Sequence, residues 1–226
     1  MNIFITWVSS WIGRNLLEKY TESWNKVYGV VRTQKQKKEI QEEFPKTKIY
    51  VCDLSDVVMV EKLWKTIQKE AFDIMILNAW YWEYKKFTKH NDKEILHQIL
   101  VNLHTPISLI SNYLKNDIVK NTKIVFISSI VWSMPIKNLS VYGASKWWLS
   151  HFYRVFKKEH PNIDSLCLEL WSTKTPMHTK SGMDNMKWRN LEKVSHKIIQ
   201  YIEIKQWIRH MYLDWWLIAK LWNIIK

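Results

Sequence analysis

Tyr142 and Lys146 stand four residues apart in a stretch of helical periodicity, so their side chains project from one helix face. The pairing has a chemical meaning. A free phenol has a pKa near 10 and is a poor acid or base at neutral pH, whereas a neighbouring ammonium favours the phenolate. Tyr142 is therefore a candidate general acid/base toward a carbonyl or an alcohol. Ser129 lies 13 residues before it, at the end of the apolar run Lys123–Ser128, where its hydroxyl can reach a substrate oxygen. A lone Tyr-x-x-x-Lys more often marks a solvated helix face, so the weight of the pair depends on what surrounds it.

The elements that must position these groups alternate along the chain. Strand-like runs fall at Asn2–Thr6, Lys26–Val31, Lys48–Val51, Asp73–Leu77, Lys123–Ser128, Ser165–Leu170 and His210–Leu213. Amphipathic helical stretches separate them: one from about 12 that ends near Ser23, then 34–44, 56–70, 92–115, 140–159 and 190–206. Short, nearly continuous apolar strands (IFIT, IMIL, IVFI) are expected where both sheet faces are covered, as in βαβ units. No repeat or flexible linker divides the chain. The expectation is one α/β domain over 1–226, a Rossmann-type, doubly wound, mainly parallel sheet of seven strands with helices on both faces. The stretch 178–190 is the least patterned and reads as a substrate loop or lid.

The first strand runs into Thr6-Trp7-Val8-Ser9-Ser10-Trp11-Ile12-Gly13 and then a helix. This turn resembles the phosphate loop of the short-chain dehydrogenase/reductases, T-G-x-x-x-G-x-G, with Trp7 and Trp11 at the first two glycine positions. Further motifs follow in the family's order: Asp53-Leu54 after the third strand, Asn78-Ala79-Trp80 for N-A-G after the fourth, and Asn102, 27 residues before Ser129. Then come Ser129 and Tyr142-Gly143-Ala144-Ser145-Lys146. The segment Leu170–Met177, with Thr173 and Thr175, resembles P-G-x-V-x-T. The resemblance covers roughly residues 1–177. It implies an NAD(P)-dependent oxidoreductase acting on CH–OH/C=O groups, with Ser129, Tyr142, Lys146 and Asn102 as its catalytic set. It further implies that the Thr6–Gly13 turn, Asp53, Leu54, Asn78, Ala79, Trp80, Thr173 and Thr175 hold the cofactor, with Lys146 also on the nicotinamide ribose. The second strand ends Val30-Val31-Arg32 with no acid, which favours NADP(H) over NAD(H), Arg32 and Lys35 meeting the 2′-phosphate.

Composition sets the remaining bounds. Across 226 residues, 47% are hydrophobic, enough for a buried core. The formal net charge of +13 could serve nucleic acid or an anionic surface, but the lysines are spread along the whole chain and form no basic arm. The partner expected is a small carbonyl or alcohol substrate, with neither nucleic acid nor membrane. No apolar run approaches the roughly 18 residues that cross a bilayer, and the N-terminus does not read as a signal peptide. Cys52 and Cys167 suit neither a disulfide framework nor a zinc site, so a reducing cytoplasmic setting is expected. The histidines lack metal-ligand spacing and no metal is expected. Oligomers are common in the family, and the tail Leu217–Lys226 suits a subunit interface or packing on the domain. A non-catalytic dinucleotide-binding protein of the same fold, and a tryptophan-rich single-strand nucleic-acid binder, are the rival readings.

The chain has 15 Trp and only 4 Gly, where glycine ordinarily makes up about 7%. Trp7, Trp11, Trp80 and Trp171 stand at family glycine positions, while Trp24, Trp82, Trp132, Trp215 and Trp216 stand where glycine would be natural. This pattern is expected if UGA, read as glycine in some bacterial lineages and as tryptophan in others, is decoded with the wrong table. On that reading all 15 positions are glycine in the natural protein.

Overall fold

The computed structural model describes residues 1–115, 121–170 and 189–204. Six strands form one sheet: β1 (Asn2–Thr6), β2 (Lys26–Val31), β3 (Lys48–Val51), β4 (Ile74–Leu77), β5 (Lys123–Ser129) and β6 (Ser165–Leu170). Their order is β3-β2-β1-β4-β5-β6, and every neighbouring pair is parallel. This is the Rossmann-type architecture expected. The seventh strand, placed at His210–Leu213, lies outside the described residues, as do Thr173, Thr175 and nearly all of the presumed lid.

The helices are α1 (Trp11–Glu22), α2 (Gln34–Glu43), α3 (Val57–Ile67), α4 (Asp92–Ile99), α5 (Thr105–Tyr113), α6 (Ser140–Glu159) and α7 (Leu191–Glu203). Local chemistry sets their starts. Thr33 with Gln36, and Asn91 with Glu94, form capping boxes at α2 and α4, and Asp56 and Asn190 accept backbone N–H groups at α3 and α7. The stretch expected as one helix over 92–115 is broken. A π-helical turn, Leu100–His104, separates α4 from α5, and Asn102 sits within it.

Two apolar cores cover the two sheet faces, which explains the unbroken hydrophobicity of the strands. One gathers Phe4, Tyr28, Met75 and Phe126 against α3, α5 and α6; the other gathers Ile3, Ile5, Val125 and Leu168 against α1 and α7. The chain reverses its direction of winding between β1 and β4. Such a switch leaves a crevice at the carboxyl ends of the strands. Thr6, Arg32, Asp53, Asn78 and Ser129 all lie at those ends.

Candidate active site

The β1–α1 turn approaches the end of β4 closely. The Asn78 amide donates to the carbonyls of Thr6 (3.0 Å) and Trp7 (3.3 Å), and the Thr6 hydroxyl accepts from the Ala79 N–H at 2.9 Å. Gly13 is required here, since a Cβ at that position would sit 1.9 Å from the Trp7 carbonyl oxygen. Ile12 is buried beneath the turn.

Trp7 and Trp11 are in the left-handed region, with φ of 60° and 51°, and Trp24 after α1 is also at 60°. Only one other non-glycine residue among those described, Asn138, shares that region. Each left-handed tryptophan is strained by about 1–2 kcal/mol. The indoles of Trp7, Trp11 and Trp80 pile on one another with centroids 5.2–6.3 Å apart. Ser10 accepts from the Trp7 indole N–H at 3.0 Å. As written, the turn therefore does not fit a pyrophosphate, because aromatic rings crowd the place where backbone N–H groups would face an anion.

Beside the turn, a cavity of about 60 Å³ is lined by Trp7, Ser9, Arg32, Asp53, Leu54 and Tyr81 among others. That is far below the roughly 300 Å³ at which ligand pockets begin. One Asp53 oxygen accepts from the Ser55 N–H (2.9 Å) and hydroxyl (2.7 Å). Burial alone would raise the Asp53 carboxyl, but these bonds, with His97 and Arg32 nearby, hold it below its usual value. Gln36 takes the Arg32 and Thr33 N–H groups on its Oε1, both at 3.1 Å, and so fixes the backbone that presents Arg32. Lys35 does not line the cavity; its ammonium lies 3.9 Å from Glu39 on the exposed face of α2. Gln36 and His97 escaped the sequence reading, although Thr33-x-x-Gln36 was legible as a capping box.

On the other side of the crevice, β5 and α6 bring Ser129, Tyr142 and Lys146 together. The Lys146 side chain is 1% exposed, donates to the Ile127 carbonyl at 3.0 Å, and lies 6.0 Å from the Tyr142 ring centroid. The Ser129 hydroxyl accepts from the Val131 N–H at 3.3 Å and lies near enough to the Tyr142 phenol to favour its ionised form. The expectation that Lys146 lowers the Tyr142 pKa is not met. Burial pushes Tyr142 up to about 12, opposed by the nearby Ser129 hydroxyl. The cause is visible: Trp80 and Trp82 close on the phenol ring at 6.3 and 6.0 Å and exclude water. Burial also lowers Lys146 to about 7, which weakens the very charge that was to act on the phenol.

The depressed Lys146 has a consequence for stability. Between about pH 7 and its ordinary 10.5, the unfolded chain carries a proton that the folded chain lacks, so stability rises with pH. Burial raises the Cys52 and Cys167 thiols above their usual 9.0, which reverses the trend above that pH. Urea denaturation is expected to show a gain on the order of 2 kcal/mol from pH 7 to 9, absent in Lys146→Met. An equal gain in the variant would assign the effect elsewhere.

Asn102, fully buried, exchanges two hydrogen bonds with the Tyr81 backbone and donates a third to Ser145. The sequence pointed to Asn102 but gave no sign of Ser145 as its partner. Among the described residues, no three His, Cys, Asp or Glu side chains gather to hold a metal, and no helix is long and apolar enough to cross a membrane. Both cysteines are buried and free.

The short chain dehydrogenase family model matches residues 1–185. The chain belongs to the short chain dehydrogenase family. It is 27% identical over 167 residues to an uncharacterized oxidoreductase of Saccharomyces cerevisiae, covering 72% of this chain and 54% of that protein. It is 26% identical over 165 residues to the NADPH-dependent 3-dehydrocapnine reductase of Ornithobacterium rhinotracheale, covering 69% and 58%. The chain thus spans a little over half the length of the curated relatives it matches. In fold it is similar to a short-chain dehydrogenase from Sphingobium yanoikuyae in complex with NADPH, with a TM-score of 0.84, 18% identity, and coverage of 99% of this chain and 91% of that one. Ser129, Tyr142 and Lys146 thus sit in a short chain dehydrogenase framework, at the carboxyl edge of its sheet.

Proposed function

We propose that this protein is an NAD(P)-dependent oxidoreductase that interconverts a carbonyl and an alcohol, with Tyr142 as general acid/base and Arg32 favouring NADP(H). The meeting of Ser129, Tyr142 and Lys146 at the end of β5 carries this reading. The carbon–hydrogen chemistry would belong to the cofactor. The chain's own share is the proton. The Tyr142 Oη would hold it toward the substrate oxygen, Ser129 would donate a hydrogen bond to that oxygen, and Lys146 would hold the nicotinamide ribose. The segment 178–190 would close over the substrate in a single domain. A small molecule in the cytoplasm is the expected partner, and a homo-oligomer the expected assembly.

The second part of the proposal is that the tryptophans of the crevice are glycines in the natural protein. Three observations support it: the left-handed backbone at Trp7, Trp11 and Trp24, the 87% exposure of Trp24, and the pile of Trp7, Trp11 and Trp80 over the turn. Trp64 is different. It lies within α3 and meets Tyr113 edge-on at 6.2 Å, as a tryptophan selected for packing would. The gene is expected to carry UGA at Trp7, Trp11, Trp24 and Trp80 and UGG at Trp64. UGG at Trp7, Trp11 and Trp80 would end this part.

The chain with glycine at the other fourteen positions, the glycine form, is the material for the test. It should oxidise NADPH in the presence of at least one member of a panel of aldehydes and ketones, and do so more readily than NADH. Arg32→Ser should weaken NADPH binding about tenfold, the loss of one charge-assisted contact, and leave NADH binding unchanged. Equal losses for both would remove Arg32 from cofactor selection; no turnover with any carbonyl would favour a non-catalytic dinucleotide-binding protein.

A further inference from the structure

Ser145 faces away from solvent, 4% exposed, on the helix that carries Tyr142 and Lys146, and no step above uses it. Its hydroxyl proton is committed, since Oγ donates to the Tyr142 carbonyl at 2.8 Å, one turn back along α6. Toward Asn102 the same oxygen can then act only as an acceptor, and the Asn102 amide nitrogen lies 3.0 Å away. The rest of the amide is spent on one backbone position. Asn102 Oδ1 accepts from the Tyr81 N–H at 2.7 Å, and its nitrogen donates to the Tyr81 carbonyl, also at 2.7 Å. Every polar atom of this buried amide is satisfied.

The direction of these bonds matters. Turning the Asn102 amide over would set its oxygen against the Tyr81 carbonyl and the Ser145 lone pairs and its N–H₂ against the Tyr81 N–H, so the two Tyr81 bonds define its orientation. The third bond, to Ser145, ties the oriented amide to α6, and the amide in turn holds Tyr81 at a fixed height. Tyr81 lies between positions 80 and 82, whose indoles meet the Tyr142 ring in the chain as written; in the glycine form it is the backbone of this loop that the amide holds beside the phenol. The chain of contacts runs from the β4 exit, through the π-helical turn, to the backbone carbonyl of Tyr142.

We propose that Ser145 is a positioning residue that sets the loop of residues 80–82 against Tyr142 by tying the Asn102 amide to α6. The proposal rests on the reading of Tyr142 as the proton donor. Removing the hydroxyl leaves one buried Asn102 N–H unpaired and unties the amide from α6, so the loop and the phenol lose their common reference. The effect should fall on turnover and spare cofactor affinity, because the network holds Tyr81 by its backbone alone and makes no hydrogen bond to Arg32 or Asp53, which line the same cavity as Tyr81.

The test uses the glycine form with Ser145→Ala and Ser145→Thr, the second of which keeps a hydroxyl. Exchange of the Asn102 side-chain amide, followed by NMR on nitrogen-15-labelled protein, should be about tenfold faster in Ser145→Ala and near the parent rate in Ser145→Thr. With the best carbonyl of the panel, kcat should fall about tenfold in Ser145→Ala, with the Kd for NADPH unchanged, and recover to within about threefold in Ser145→Thr. Unchanged exchange or unchanged kcat in Ser145→Ala overturns the proposal. So does an equal loss in both variants, which would mean that packing rather than the hydroxyl matters. A parent that turns over no carbonyl sinks the reading of Tyr142 and this inference with it. An active parent with an unaffected Ser145→Ala variant sinks this inference alone.

Discussion

The glycine form is expected to bind NADPH in the micromolar range, while the chain as written shows no saturable binding in the same fluorescence titration. Two physical effects add. The backbone at Trp7 and Trp11 is already left-handed, which glycine adopts freely and a residue with a Cβ adopts at a cost of about 1–2 kcal/mol. The second effect is steric and larger. Trp7, Trp11 and Trp80 stack over the turn, and Trp7 lines the small cavity that holds Arg32 and Asp53. A ligand must displace rings that are packed on one another before it can meet a single backbone N–H. A difference of at least about 100-fold in Kd, roughly 2.7 kcal/mol, is the expected result. Tight binding by the written chain would refute the account, whatever codons the gene carries. Because net stability is typically about 5–15 kcal/mol, the glycine form should also withstand more urea.

Tyr142→Phe is expected to lower kcat of the glycine form by about 10²–10⁴-fold, the usual contribution of a positioned general acid/base, with NADPH affinity kept within about threefold. The phenyl ring preserves the contacts with Leu139 and Val131 that hold this part of α6. Only the proton is removed. A variant that kept full turnover would exclude Tyr142 as the proton donor. The same phenol supplies a second readout. In the written chain, burial under Trp80 and Trp82 holds it near a pKa of about 12. Glycine at both positions admits water and leaves the lowering influence of Ser129 to dominate, so the midpoint should move down in a carbon-13 titration of the tyrosine ring. A midpoint that stays near 12 would show that the indoles are not the cause of the shift.

Desolvation governs Lys146 in the same way. Four-residue spacing does place Lys146 and Tyr142 on one face, but the lysine nitrogen is turned to the Ile127 carbonyl, 6.0 Å from the phenol ring centroid, and is itself deprived of water. Its pKa near 7 leaves it only partly charged at neutral pH. Spacing along a helix fixes direction. It does not fix solvation, and solvation decides which of two buried groups carries charge.

Several features of this protein were determined by the sequence by itself. Four of the six described strands begin and end where their apolar runs do, because strands covered on both faces must be hydrophobic along their whole length. The remaining two differ by a single residue, at Asp73 and at Ser129. The candidate site residues were legible through their resemblance to the family's motifs, and those that are described sit at strand ends, in turns or on helices. The excess of tryptophan over glycine was legible as well, since composition needs no fold.

Other features were decided only by tertiary structure. The π-helical turn at Asn102 has no local signal, and it forms where the rod of α4 and α5 must carry an amide to Tyr81 and Ser145. Ser145 looked like an ordinary helix serine until a residue 43 positions away met its hydroxyl. The raised phenol, the lowered lysine and the crowded turn all depend on which side chains arrive from distant strands to exclude water. Sequence spacing carries directions along one element; hydrogen-bond partners and desolvation belong to the meeting of several, and that meeting exists only in the folded chain.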